Sequence, residues 1–458
     1  MTDAPIAANS MPLRLRLGWG LGSLSMSAMF NAISLLLLTF LIEFVGIPAV
    51  TAGALILVSK IYDAVTDPLM GVLSDRTKSR WGRRRPYLML GGILAGVSFM
   101  MIFTVPAFES QNMLLLYVFV ALLLNATAYT VFNVPYLAMP AEMTNSYDER
   151  TSLMSFRVGA IAGGQVLSSV LGPAVIAYYG GGLLGHSVMS VVVGIAIIAV
   201  CTLCFWSTHD AKFTEPLNDH SHSLRDQIKL AAGNKPFMVL LMVKFTQLFG
   251  FSIFIAALPL LFTRILGVTY ADLGTYYLFQ AGATMASQPV WVALSKKYGK
   301  TNCYYITSTI FAIASASWVF GTAADPTWYI GLRAVITGIG AGGLLLIGQS
   351  LLPDTIEHDF RRTGLRREGV FAGVYTTIEK FSFAFGPAVL GLLLGFMGWV
   401  ESQGGQQAEQ TARALMAIDI AMLVPTVTLV LSCICLSQYS LGRDKIDAPL
   451  SSSEPKQT

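Results

Sequence analysis

Apolar runs of about twenty residues or more recur along the whole chain, and nothing constrains its fold more. They span about 18–44, 50–73, 87–107, 113–139, 151–179 and 184–207, then 237–263, 271–294, 302–322, 327–350, 369–398 and 412–437. A helix rising 1.5 Å per residue crosses a hydrocarbon core about 30 Å thick in roughly 20 residues. Such runs, far longer than strands and lacking their two-residue alternation, predict helices. Composition agrees: of 458 residues, 54% are hydrophobic and 12% charged, where a soluble domain carries about a quarter charged. The expectation is an all-α membrane protein of twelve transmembrane helices.

The polar stretch 208–236 is the longest between helices and divides them into two groups of six. The domains expected are an N-terminal six-helix bundle (1–207), a cytoplasmic linker (208–236), a C-terminal six-helix bundle (237–437) and a flexible cytoplasmic tail (438–458). Most of the 30 Lys and Arg fall on one side of the predicted helices: Arg14 and Arg16, the run from Arg76 to Arg85, Arg150, the central stretch, Lys296 to Lys300, Arg361 to Arg367, and the tail. The opposite loops hold essentially Arg264 and Arg413. By the positive-inside rule, both termini and the central stretch are cytoplasmic. Placement in the cell (inner) membrane follows. The first apolar run continues into a spanning helix with no small-residue cleavage site, so no cleaved signal peptide is expected.

The halves echo each other. Helix 2 ends Asp67-Pro68…Gly71-Val72-Leu73-Ser74-Asp75-Arg76, and helix 8 ends Gln288-Pro289…Val292-Ala293-Leu294-Ser295-Lys296-Lys297. Each places a proline near the inner end and a basic loop after it. Two six-helix repeats put a solute site near the membrane midplane, between the halves.

Several function classes fit poorly. A net charge of +4 suggests no nucleic-acid partner. Cys201 and Cys204 form a C-x-x-C, but their flanks are apolar and no second ligand pair follows. The histidines (186, 209, 220, 222 and 358) lie in or near loops and make no ligand cluster with membrane carboxylates. No catalytic set, resident metal or cofactor is expected, and the chain does not read as an enzyme. A signalling sensor would need a large output domain, and only about 20 polar residues follow the last helix.

The informative residues are charges inside apolar runs: Lys60, Asp63, Asp67, Arg157, Lys244, Arg333, Glu379 and Lys380. A charge at the bilayer centre costs at least about 2.5–3.5 kcal/mol, so such residues usually line a cavity and pair. Lys244 and Arg333 lie near helix starts, and Lys244 is expected to snorkel to the inner interface. Asp63 and Asp67, four apart, stack on one helical face, with Thr66 beside Asp67. Two carboxylates and a hydroxyl suit a hard cation such as Na+, or hold a proton when no cation is present. A structural ion pair with Lys60 or Arg157 is the alternative. In helix 4, Asn125, Tyr129, Asn133 and Tyr136 form a polar line with Thr130 beside it. The line fits a cavity wall or interhelical hydrogen bonding. Lys380 lies too deep for easy snorkelling and is a candidate for neutralising a carboxylate or binding solute.

These residues resemble a known family. Asp63-Ala64-Val65-Thr66-Asp67-Pro68-Leu69-Met70-Gly71, followed by Ser79-Arg80-Trp81-Gly82-Arg83-Arg84-Arg85-Pro86, is similar to the signature of the glycoside–pentoside–hexuronide cation symporters, a melibiose-permease-like branch of the major facilitator superfamily. Tyr129-Thr130 with Pro135, Tyr147-Asp148-Glu149-Arg150-Thr151 and Arg366-Arg367-Glu368-Gly369-Val370 support it. The resemblance implies a major facilitator fold, alternating access and a cation-coupled symporter of a sugar-like solute: a glycoside, an oligosaccharide or a sugar acid. It implies a cation site of Asp63, Asp67, Thr66 and Thr130, coupled to Na+ or H+. The solute set it suggests is Tyr129, Asn133, Arg157, Tyr375, Thr376 and Lys380. A gate at Asp75, Arg76, Arg83 and Arg84, closed by acids such as Glu142, Asp148 and Glu149, is also implied. The chain departs from the family's galactoside carriers at Ser27, Asn133, Leu137 and Leu345, where acids or aromatic platforms are replaced. An uncoupled facilitator, or a carrier of lysolipid or another organic solute, is the alternative. The partners expected are a small solute and the bilayer, with the chain working as a monomer.

Overall fold

The computed structural model describes residues 11–144, 147–211, 233–363, 368–401 and 408–439. These form twelve long helices and no strand. They are α1 (Leu13–Phe40), α2 (Ala49–Arg76), α3 (Arg85–Phe103), α4 (Gln111–Met143), α5 (Tyr147–Tyr178), α6 (Gly182–Ser207), α7 (Lys235–Leu260), α8 (Tyr270–Tyr298), α9 (Lys300–Ala316), α10 (Thr327–Thr363), α11 (Glu368–Phe396) and α12 (Ala412–Ser437). Eleven are long and apolar enough to cross a membrane. The twelfth, α8, has 29 residues but a more polar composition. Its polar side chains are tied to α10: Thr284 Oγ1, Gln288 Nε2 and Trp291 Nε1 donate to the carbonyls of Gly338, Gly342 and Ile339 at 3.0, 3.2 and 2.9 Å. A helix with its polar groups satisfied this way spans without being uniformly apolar.

The chain forms two compact units, the first built on α1–α6 and the second on α7–α12. In the first, α1 packs on α5 and α6, α3 on α4 and α6, and α2 on α4. In the second, α7 packs on α11 and α12, and α9 on α10 and α12, while α8 is bonded to α10. Adding six to each helix number converts one scheme into the other. The same correspondence appears locally. Both α1 and α7 widen into a π turn, at Leu41–Val45 and Leu261–Ile265. A glycine with positive φ follows each, Gly46 at 78° and Gly267 at 65°, conformations that cost a residue with a Cβ far more.

Helices approach most closely where side chains vanish. A Cβ on Gly164 of α5 would collide with the Leu24 carbonyl of α1. One on Gly386 of α11 would collide with Ser252 of α7. These are the same two helix pairs, one repeat apart. Without a hydrophobic drive between helices in lipid, this close packing holds the bundle. Larger side chains fill the gaps, as where Trp19 stacks on Tyr136 at 4.7 Å. Cys201 and Cys204 are free and buried. They lie one turn apart on α6, near Ser25 and the Trp19 carbonyl of α1, and serve packing.

The observed helices run past the apolar stretches. The run at 327–350 belongs to a helix that continues to Thr363. At 37 residues it is about 55 Å long, so its end stands clear of a 30 Å core. There it is stabilised by polar pairs, Arg361 Nε to Glu357 at 2.8 Å and Asn234 Nδ2 to Asp359 at 3.3 Å, which hydropathy does not register. Residues 212–232, most of the expected linker including His220 and His222, lie outside the described residues, as do Arg366, Arg367 and the tail from 440.

Candidate functional site

The first unit gathers its acids where α2 meets α4. Asp63 is 3% exposed and Asp67, one turn on, is half-buried. Thr130 of α4, 2% exposed, has its Oγ1 2.7 Å from Asp63 Oδ1 and 2.9 Å from Asp67 Oδ1. A hydroxyl carries one proton. It donates to one carboxylate at a time, so the other oxygen pair lies at hydrogen-bond distance with no proton from Thr130 to share. Side chains four apart on a helix are roughly 5–6 Å apart, where two bare charges repel by about 3 kcal/mol at an effective dielectric of 20. A proton or a small cation shared by the two carboxylates would ease that repulsion. Pro68, inside α2, has no amide to offer the Ala64 carbonyl, so one more oxygen is freed beside the pair.

Thr66 lies beside the pair but does not bond to either carboxylate through its own proton. Its hydroxyl donates to the Tyr62 and Asp63 carbonyls at 3.1 Å each, the back-bonding usual for a helical threonine. The hydroxyl that joins the carboxylates is Thr130. The structural pairing with Arg157 is not found. Among the described residues Arg157 forms no ion pair with either aspartate, and its Nε is enclosed without a partner. Lys60, one turn before Asp63, lies over the Phe30 ring at 5.1 Å, and Phe30 in turn tilts against Tyr129 at 6.3 Å.

The polar line of α4 divides. Asn125 is buried and donates to Ser98 Oγ at 3.1 Å. Tyr136 is buried and donates to the Trp19 carbonyl at 2.8 Å. Both are packing groups, which corrects their reading as cavity wall. Tyr129 and Asn133 are half-buried and remain on an accessible face.

At the basic end of the same unit lies a charge cluster. Arg84 pairs with Asp75 and, at 2.8 Å, with Glu142. Arg83 reaches the same Glu142 oxygen at 3.0 Å. Glu142 is 3% and Arg84 7% exposed, so the end of α2, the loop turning at Gly82 (φ 88°) and the end of α4 are tied by largely desolvated bonds. Arg76 is exposed on the last turn of α2 and stands apart from the cluster. Arg85 instead donates to the Phe205 carbonyl at 2.8 Å, closing the end of α6. Glu149 accepts from Thr144 Oγ1 and the Met11 amide, and those bonds hold its carboxyl below the ordinary glutamate range. It therefore tethers the chain entering α1. The side chain of Asp148 lies outside the described residues.

In the second unit, Lys244 does not snorkel. It is 3% exposed and pairs with Glu379 at 2.9 Å, because a partner on α11 is closer than the interface. Tyr375 is 2% exposed, its ring 5.0 Å from the Lys244 ammonium and its hydroxyl bonded to the Gly348 carbonyl at 3.2 Å. It is a packing residue, which removes it from the accessible solute set. Thr376 is exposed and Lys380 half-buried. Arg333 pairs with Asp325 at 3.1 Å and sits between Trp318 and Tyr329. The Lys244–Glu379 and Arg333–Asp325 pairs escape a sequence reading, since nothing in spacing links residues on different helices or on either side of a turn. No group of three metal-ligating side chains occurs among the described residues.

A family model described as MFS/sugar transport protein matches residues 18–443. The chain is 26% identical to the inner membrane symporter YicJ of Escherichia coli (strain K12), over 94% of this chain and 92% of that protein. It is 25% identical to the isoprimeverose transporter of Lactiplantibacillus pentosus, over 96% and 91%. Among solved structures, a bacterial homolog of the human lysosomal transporter Spinster superposes with a TM-score of 0.69 at 13% identity, covering 93% of this chain and 96% of that one. The last likeness concerns the fold alone.

Proposed function

The chain belongs to the MFS/sugar transport protein family, a membrane transporter and not an enzyme, and from that premise we propose that it is a symporter. A Na+ ion or a proton held by Asp63, Asp67 and Thr130 drives a sugar-like solute across the inner membrane by alternating access. The observation that carries this reading is the single Thr130 hydroxyl set between two carboxylate oxygens one turn apart on α2, three oxygens of the kind a hard cation or a shared proton takes. The family and the isoprimeverose transporter among its relatives support a saccharide as cargo. Tyr129, Asn133 and Arg157 in the first unit and Thr376 and Lys380 in the second are its proposed contacts. The Asp75–Arg84–Glu142–Arg83 cluster acts as a cytoplasmic latch, its arginines placed inside by the positive-inside rule.

The test is uptake of labelled saccharides into membrane vesicles with imposed Na+ or pH gradients. Wild type is expected to concentrate a saccharide under one gradient. Asp63→Asn and Asp67→Asn are expected to abolish uphill uptake while leaving protein in the membrane. Concentrative uptake retained in both variants would sink the proposal, and wild-type uptake that ignores both gradients would assign an uncoupled facilitator.

A further inference from the structure

The second unit holds one charge pair whose placement is unusual. Lys244 lies about 14 Å into the apolar span Lys235–Ile265 and Glu379 about 9 Å into the span Gly373–Phe396. The lysine side chain is 4% exposed and the glutamate side chain 29%. The cation is therefore shut in, and the anion is open. Glu379 Oε1 takes both Lys244 Nζ at 2.9 Å and Gln349 Nε2 at 3.3 Å. Its second oxygen takes no hydrogen bond from a described residue.

Here the enclosed ammonium supplies the counter-charge that a carboxylate needs at this depth, and the carboxylate presents one oxygen outward. Ionised groups inside a membrane almost always face a bundle interior or a water-filled path and not acyl chains. Its neighbours are suited to a hydroxylated ligand. Gln349 is exposed beside it. Thr376, one turn before, is exposed and its hydroxyl donates back to the Gly373 carbonyl at 3.0 Å, which leaves lone pairs pointing away.

We propose that Glu379 accepts hydroxyl groups of the transported solute and that Lys244, through it, fixes the cargo class as an uncharged polyhydroxylated molecule. The outward carboxylate oxygen takes O–H donors with charge-assisted bonds, and with Lys244 already paired with Glu379 the pair offers a solute carboxylate no net positive charge, so a neutral saccharide is favoured over its sugar acid. This deepens the preceding reading and rests on the chain carrying a sugar. It does not rest on Asp63 and Asp67 driving it. Lys244 is a positioning residue, since it reaches the solute only through Glu379.

The experiment is equilibrium binding by the purified full-length protein, without ion gradients. The probes are neutral mono- and disaccharides, methyl β-D-glucoside, the matched methyl β-D-glucuronide and methyl 6-amino-6-deoxy-β-D-glucoside. Wild type is expected to prefer neutral members. Glu379→Gln is expected to weaken that binding at least about tenfold. Lys244→Met is expected to lower the melting temperature, and Lys244→Met with Glu379→Gln to restore it without restoring affinity. Wild-type affinity in the double variant would make the pair merely structural and overturn the proposal. So would a preference for the glucuronide or the amine, or binding of no neutral member. Neutral binding without coupled uptake defeats the coupling reading alone, whereas coupled uptake of a uronide defeats this one alone.

Discussion

At the residue scale the decisive group is a hydroxyl. Thr130 joins two carboxylates that its own helix does not carry. Hydrogen bonds to charged groups contribute about 1.5–3 kcal/mol. Thr130→Val is therefore expected to weaken the coupling ion roughly ten- to a hundredfold, with Thr130→Ser close to wild type. The dependence of saccharide uptake on Na+ concentration or on pH measures it, and equal ion dependence in Val and wild type would remove Thr130 from the site. The acids themselves were legible in the sequence, because a charge inside an apolar run is expensive and a spacing of four puts two on one face. Thr130 was not reachable by spacing, and only the family resemblance pointed to it. The turn of the Thr66 hydroxyl onto carbonyls of its own helix was not legible, because adjacency in sequence says nothing of where a hydroxyl points. The burial of Lys244 was missed because snorkelling and pairing look alike until the partner helix is in place.

At the element scale, the two halves use one pairing scheme but treat its second helix differently. In α2 the inward polar residues are Asp63 and Asp67. In α8 the residues at matching distances from the shared proline are Thr284 and Gln288, and both donate to carbonyls of α10. The twelve elements were legible because each must bury a long apolar surface, and even the relatively polar α8 was found. Their ends were not, because outside the hydrocarbon a helix such as α10 is held by side-chain pairs with no hydropathy signal. Close approach gives the element-scale prediction. Gly164→Leu forces a side chain into the α1 backbone, and overpacking typically costs about 1–3 kcal/mol. Gly159→Leu on the same helix, where a Cβ meets nothing within 4 Å, serves as the control. The first is expected to lower the melting temperature and expression and the second to leave both near wild type. Equal effects would refute the close-contact account.

At the scale of the whole molecule, each unit completes its own set of helix pairs, α1–α6 in one and α7–α12 in the other. Two chains cut between residues 219 and 220 and produced together are therefore expected to assemble and recover part of the uptake of the intact protein. Co-purification through a tag on one fragment, together with vesicle uptake, reads the outcome. Fragments that reach the membrane only when covalently joined would show that the units do not fold separately. The division into two sixes was legible from the long polar stretch and the repeated proline and basic loop. The similarity of the packing schemes came only with the structure, since helix neighbours are not encoded in hydropathy.

The bonding of the mid-helix polar side chains of α8 to α10 has a consequence for how such a protein changes over generations. A helix whose polar side chains are satisfied by its own unit makes no demand on an arriving ion. On the function proposed above, substitutions around it are judged by fit, while those around α2 are judged by the ion as well. Two copies of one architecture thereby become separately adjustable organs, one conservative and one free to drift, and a lineage can acquire a new nutrient without reinventing its engine.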